Sequence, residues 1–260
     1  MKSYAISAGA AVLGLLLTAS GLEAAPIFWA DWVPGNTCQA PCFEGSGTIT
    51  TPTATVGVTY NNPQGIGFYN TGAPGEIDYW TPRTPVENSP YTSAAVDNVP
   101  TGTDLIALQY AGNQTLTFSE TIANPVFGFV SLNVNGYAFL NQDFTILSLG
   151  GEDGNNCGYW GCGGASKNIV VLPGGDIEYQ LIANNVGGTE PHGTIQFLGA
   201  FDSLVWRSLT NEYWNGFNVG VQGTDDEVFA VPEPTSMMLL GSGLTTLYLR
   251  RRRKAKGQAA

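Results

Sequence analysis

Few residues in this sequence have the types and spacing that chemistry needs. In GEIDYW, Glu76 and Asp78 stand two apart, which on a strand would put both carboxylates on one face, as acid/base work on a glycosidic bond requires. Asp176 and Glu178 in GGDIEY repeat that spacing, so the pattern is cheap. Glu76 and Asp78 are therefore read as an acidic pair at the mouth of a surface loop. His192, the one histidine, lies in EPHGT ahead of an apolar run. No GxSxG elbow accompanies it, and it is read as a turn-capping residue rather than a member of a triad. Non-catalytic function is the expectation.

Binding chemistry has better candidates. Tyr159 and Trp160 sit in CGYWGC, a glycine-rich stretch bounded by Cys157 and Cys162. Rigid aromatic side chains on such a loop offer apolar area for stacking on sugar rings at small entropic cost. Glu152, Asp153, Asn155 and Asn156 in GEDGNN form an oxygen-only cluster, the weak candidate for calcium, without the spacing of an EF-hand loop. No other metal or cofactor is implied. Trp206 and Phe217 lie inside apolar runs and are expected in the core.

The elements that must position these residues read as strands. Between 26 and 222, ten short alternating or apolar runs recur, from GTITTPTATVGVTY and DLIALQY to SLVWRS and GFNVGV, separated by Gly, Pro, Asn and Asp. In QTLTFSE, Leu116 and Phe118 point one way and Thr115, Thr117 and Ser119 the other, the signature of a half-buried antiparallel strand. The pattern predicts an all-β fold, an antiparallel β-sandwich or jelly roll of about ten strands. The proline-rich stretch 81–103 is expected to run over its surface as a long loop, and 223–230 to be an acidic spacer.

Charge excludes one class of partner. Only Arg83, Lys167 and Arg207 lie between Glu23 and Glu233, against nineteen acidic residues, a net charge of −16. That field repels nucleic-acid phosphates.

The N-terminus reads as a signal peptide over 1–25, with Lys2 ahead of an apolar core and a small-residue exit at Ala24 and Ala25. Export through the general secretion machinery places the cysteines in an oxidising compartment. Four cysteines allow three pairings. The two local ones, Cys38 with Cys42 and Cys157 with Cys162, are favoured as loop staples. A zinc site would need reduced thiolates and a histidine cluster.

At the other end, Pro232 and Pro234 hold Glu233 on an extended segment that no helix can cross. A fifteen-residue uncharged run follows at 235–249, long enough as a helix for ~22 Å of a bilayer. Arg250, Arg251, Arg252, Arg253 and Lys254 then hold the end in the cytoplasm. Val231-Pro232-Glu233-Pro234, the Leu/Gly-rich run and the four arginines resemble the PEP-CTERM sorting signal of Gram-negative bacteria, here over 231–254 with a tail at 255–260. The resemblance implies processing by an exosortase, transient anchoring in the inner membrane through the C-terminal helix, and delivery to a cell surface or matrix rich in exopolysaccharide. A structural or adhesive role in such a biofilm is the expectation. A carbohydrate-binding module using Tyr159 and Trp160 is the alternative.

Segments of the body, including LTFSETIANPVFGFVSLN, are similar to PEP-CTERM proteins of unassigned function, which implies one domain and no chemistry. GEIDYW is similar to the Glu-x-Asp-x-x-Glu signature of jelly-roll endoglucanases. The place of that family's acid/base glutamate is held by Thr81 or Pro82, leaving glycoside hydrolysis a distant alternative.

Overall fold

A computed structural model of the chain describes residues 24–133, 135–184 and 190–229. The signal segment expected over 1–25, apart from Ala24 and Ala25, and the sorting segment at 231–254 lie outside the described residues. The chain opens with β1 (Phe28–Trp29) and β2 (Asp31–Val33), then the hairpin of β3 (Phe43–Thr50) and β4 (Thr55–Asn62), then β5 (Phe68–Asn70). After a long excursion come β6 (Leu105–Leu108), β7 (Gly112–Ala123), β8 (Val126–Val130), β9 (Gly136–Leu140) and β10 (Thr145–Leu149). The remainder is β11 (Ala165–Val171), β12 (Ile177–Ala183), β13 (Gly193–Gln196), β14 (Ala200–Ser208), β15 (Asn215–Val221), β16 (Gly223–Thr224) and the short helix α1 (Asp225–Phe229).

Two antiparallel sheets face each other. One has seven strands in the order β10-β13-β8-β15-β6-β5 with β1 beside β15, and the other has nine in the order β11-β12-β9-β14-β7-β4-β3-β2 with β16 beside β7. This is the expected sandwich, with sixteen strands among the described residues where about ten were expected. The difference has two sources. The run GTITTPTATVGVTY is a hairpin that turns at Thr51–Ala54, where Thr51 N–H donates to the Ala54 carbonyl at 3.0 Å. Strands β1, β2, β5 and β16 carry only two or three residues, too few for a period to show, and β9 is buried along four of its five residues and does not alternate.

Alternation decides which side chains reach the core. In β4, Val56, Val58 and Tyr60 are buried while Thr55 and Thr59 are exposed, as period two requires. Between the sheets Phe127 stacks on Phe217 at 4.7 Å, and Trp206 from the opposite sheet meets each of them edge-on at 5.3 Å. Trp206 and Phe217 are core residues, as expected.

The seven-stranded sheet differs from its partner in having both faces covered. Every residue of β6, β8 and β15 is buried, which is why their sequences run apolar without alternating. The outer face is covered by the segments 24–29 and 79–104, the second of which contains the excursion expected at the surface. Trp80 and Tyr91 pack there against Leu105, Ala107 and Val130, and Trp29 and Val96 against Val126. Gly128 makes room: a Cβ there would lie 3.2 Å from the Trp80 ring and 3.5 Å from Trp29. Trp80 Nε1 donates to the Asp104 carbonyl at 3.0 Å, which satisfies the indole as it is buried.

Residues 223–229, expected as spacer, are bonded to the nine-stranded sheet. β16 pairs with the end of β7. Glu227 accepts from Thr51 Oγ1 at 2.8 Å, from Thr53 N at 2.9 Å, from the Thr53 hydroxyl and from Thr224 N at 2.8 Å. Burial pushes this carboxyl up, but the donors of Thr53, Thr224 and Thr51 outweigh it and hold it down at about 2. A carboxyl lower in the folded than in the unfolded chain stabilises fully above its unfolded value, about 4.3, and loses that contribution as pH falls towards the folded value. Glu227→Gln is therefore expected to lower the urea midpoint at neutral pH, and the gap from wild type should close between about pH 4.3 and 2. A gap that stays constant through acid would remove Glu227 as the tie.

Candidate functional site

The described structure pairs Cys38 with Cys42 and Cys157 with Cys162, the two local pairings. Between the second pair, Gly158 N donates to the Gly161 carbonyl at 2.9 Å and Gly161 N returns a bond at 3.1 Å, so Tyr159 and Trp160 occupy the tip of a two-residue turn. Gly161 has φ +119°, a conformation that side chains resist. Tyr159 and Trp160 remain 41% and 52% exposed.

His192 is the floor of this loop. It is fully buried where a turn cap would be half-exposed, which corrects the sequence reading. Its ring lies so close under Gly158 that a Cβ there would meet it at 2.1 Å. Its Nδ1 is 3.1 Å from the Tyr91 hydroxyl, and burial lowers it to about 3, so the imidazole is neutral at ordinary pH. The signal for this role was Pro191-His192-Gly193 running into a fully buried strand, but periodicity does not distinguish a cap from a core ring.

From the tip an aromatic path runs inward. Trp160 meets Tyr159 at 4.9 Å, Tyr159 meets Tyr79 at 5.1 Å, Tyr79 meets Trp214 at 4.8 Å, and Trp214 meets Phe68 at 5.0 Å. Beside this path is a cleft of about 280 Å³, with Trp160, Tyr213 and Trp214 as aromatic walls and Ser131, Asn133, Glu190 and Glu212 as polar ones. Sheet order explains the meeting. β8 runs between β13 and β15 and antiparallel to both. The residues that leave β8 (131–133) therefore lie at the same end as those entering β13 (190–192) and β15 (212–214).

Hydrogen bonds make loop and cleft one unit. Glu190 N donates to the Cys162 carbonyl at 3.2 Å. Asn133 bridges the two glutamates, giving its Nδ2–H to Glu190 Oε1 at 2.7 Å and its backbone N–H to Glu212 Oε1 at 3.3 Å. Ser131, at φ +62°, donates its hydroxyl to Glu190, and Asn215 Nδ2 donates to Glu212 at 2.8 Å. Asn133, Glu190, Glu212, Tyr213 and Trp214 were absent from the candidate sites read in the sequence, because they come from three separate loops without a shared motif.

The other candidates are placed elsewhere. Glu76 and Asp78 lie on a loop, not a strand, and are engaged there. Glu76 accepts from Thr71 N at 2.9 Å, Ala73 N at 3.0 Å and Thr103 Oγ1 at 2.7 Å, while Asp78 pairs with Arg83 at 2.6 Å. Glu178 takes Arg207 at 2.8 and 2.9 Å, which holds its carboxyl below the usual range. Glu152, Asp153, Asn155 and Asn156 share one turn, where Asn155 Nδ2 donates to the Leu149 carbonyl at 3.3 Å and Asn156 N to the Asn88 carbonyl at 2.7 Å. Among the described residues no group of three or more His, Cys, Asp or Glu is arranged to hold a metal ion. A larger hollow of about 640 Å³ lies between residues 86–97 and 153–155, with Glu87, Asp97 and Asp153 on its walls and no aromatic side chain.

Comparison with known proteins bears on the other end of the chain. Residues 230–253 match the PEP-CTERM protein-sorting motif. The chain is an exosortase substrate. It is an exported protein, anchored transiently by its C-terminal region and processed there. The matched stretch contains Val231, Pro232, Glu233, Pro234 and the four arginines singled out in the sequence, all outside the described residues. Among the described residues no helix is long and apolar enough to cross a membrane; the apolar run 235–249 is not among them. No curated protein and no solved structure matches the chain. The sorting match covers the tail alone, so what the exported body does has to be argued from its own site.

The contact of Gly158 with His192 gives a direct check on that site. Gly158→Ala is expected to cost about 1–3 kcal/mol, the usual range for overpacking, read as a lowered denaturation midpoint. A variant as stable as wild type would mean that the ring is not the floor of the loop.

Proposed function

We propose that the exported body has a structural, adhesive role in an exopolysaccharide-associated surface layer or biofilm matrix. It would hold polysaccharide at the Tyr159–Trp160 turn and the adjoining cleft. The observation that carries this reading is Trp160, half-exposed at the tip of a stapled turn whose floor is a buried ring. An aromatic face held in place loses little freedom on binding, and the carbon-bound hydrogens of a pyranose ring supply the apolar surface it wants. Asn133, Ser131, Glu190 and Glu212 stand beside it with the hydrogen-bonding groups that sugar hydroxyls need.

The reading is one of binding without catalysis and without a cofactor. Glu76 and Asp78, the pair with hydrolytic spacing, are occupied by loop N–H groups and by Arg83. Catalysis would show as release of reducing sugar that Glu76→Gln removes.

Affinity electrophoresis of the full chain through gels containing exopolysaccharide from the native host tests the proposal. Retardation is expected with or without calcium. Trp160→Ala should weaken it at least about tenfold, as truncation of a central aromatic anchor does. Equal migration in loaded and empty gels would end the glycan reading and leave adhesion to protein.

A further inference from the structure

We propose that the cleft beside Trp160 is a subsite for a hexosamine unit carrying a free, protonated amine, so that the chain prefers an amino-bearing polysaccharide to a neutral or uronate-containing one. The inference deepens the glycan-binding reading and rests on it.

Charge is the first argument. Glu190 and Glu212 line the same small cleft and are bridged by one residue, Asn133. Glu190 accepts from Ser131 and Asn133, both neutral, one on each carboxylate oxygen. An ionised carboxylate has about four acceptor positions, so both oxygens keep capacity for a ligand. The three basic residues of the body are committed to other acids, Arg83 to Asp78, Lys167 to Asp143 and Arg207 to Glu178. His192, under the neighbouring turn, is neutral. A ligand that covers the Glu190 carboxylate without supplying charge has to strip its water. An ammonium group supplies three donors and the opposite charge, and charge-assisted bonds of this kind are about twice as strong as neutral ones. A uronate would bring a third negative charge into a body that already carries −16 between Glu23 and Glu233.

Shape separates a sugar from other cations. A small quaternary ammonium is best held in a closed aromatic box. Here the walls are open, with Tyr213 87% exposed and Trp160 52% exposed. Open walls of this kind suit a polymer that enters and leaves the cleft. Among the described residues no group of three or more His, Cys, Asp or Glu is arranged to hold a metal ion.

The test is isothermal titration of the full chain with two probes, the chitosan tetramer and its fully N-acetylated counterpart, at a pH where the amine is protonated. They share length and linkage and differ only in the amine. The free-amine tetramer is expected to bind about tenfold more tightly, with the preference shrinking as salt is raised. Glu190→Gln should bring the two affinities together, and Trp160→Ala should weaken both. Equal affinity of the native chain for both tetramers overturns the amine subsite and leaves glycan binding standing. Binding of neither overturns both. A preference that survives Glu190→Gln overturns the subsite by assigning the effect to the acidic surface at large. Should that variant not fold, as judged by near-ultraviolet circular dichroism, the salt series on the native chain decides, and a preference indifferent to salt rules the subsite out.

Discussion

The seven-stranded sheet is apolar on both faces, and the rest of the structure depends on covering the second one. A sandwich ordinarily leaves its outer faces to water, and strands then alternate apolar with polar. β6, β8 and β15 do not alternate, so their outer face needs a cover that no third sheet provides. The segments 24–29 and 79–104 supply it with Trp29, Trp80, Tyr91 and Val96. From that cover a line of contacts leads to the functional end. Trp80 meets Tyr91 at 5.1 Å, Tyr91 bonds His192, and His192 supports Gly158. The exposed aromatic turn is thus held by the same layer that hides the sheet, and binding capacity and stability draw on shared residues.

How much of this was legible can be judged residue by residue. The sandwich was visible because runs such as QTLTFSE alternate and are bounded by turn formers. The double burial was also written there, since DLIAL and PVFGFV run apolar without a break, but an apolar run alone does not say what covers it. The excursion through 81–103 was seen as a surface loop, and Trp80 and Tyr91 in and beside it proved to be fully buried. Local features carried over well: both cysteine pairs are separated by four or five positions and close as expected. The cleft did not carry over, because Asn133, Glu190 and Trp214 come together only through the order β13-β8-β15. Strand order is set by pairing between distant segments, and short contributions from separate loops leave no period to detect.

The tail and the body obey different rules of readability. A sorting signal has to be recognised outside the folded domain, so its information is linear and survives in the bare sequence. The body's information is spatial. The distribution of charge follows this division, with most basic residues at the extreme C-terminus and nearly all acidic ones in the body.

The bonds of Glu227 and β16 reach beyond stability. They secure the chain to the nine-stranded sheet as far as α1, which ends at Phe229. From there to the first residue of the uncharged run at 235, the chain at full stretch spans only about 20 Å. While the anchor is in place the body is therefore held within about 20 Å of the membrane-embedded run.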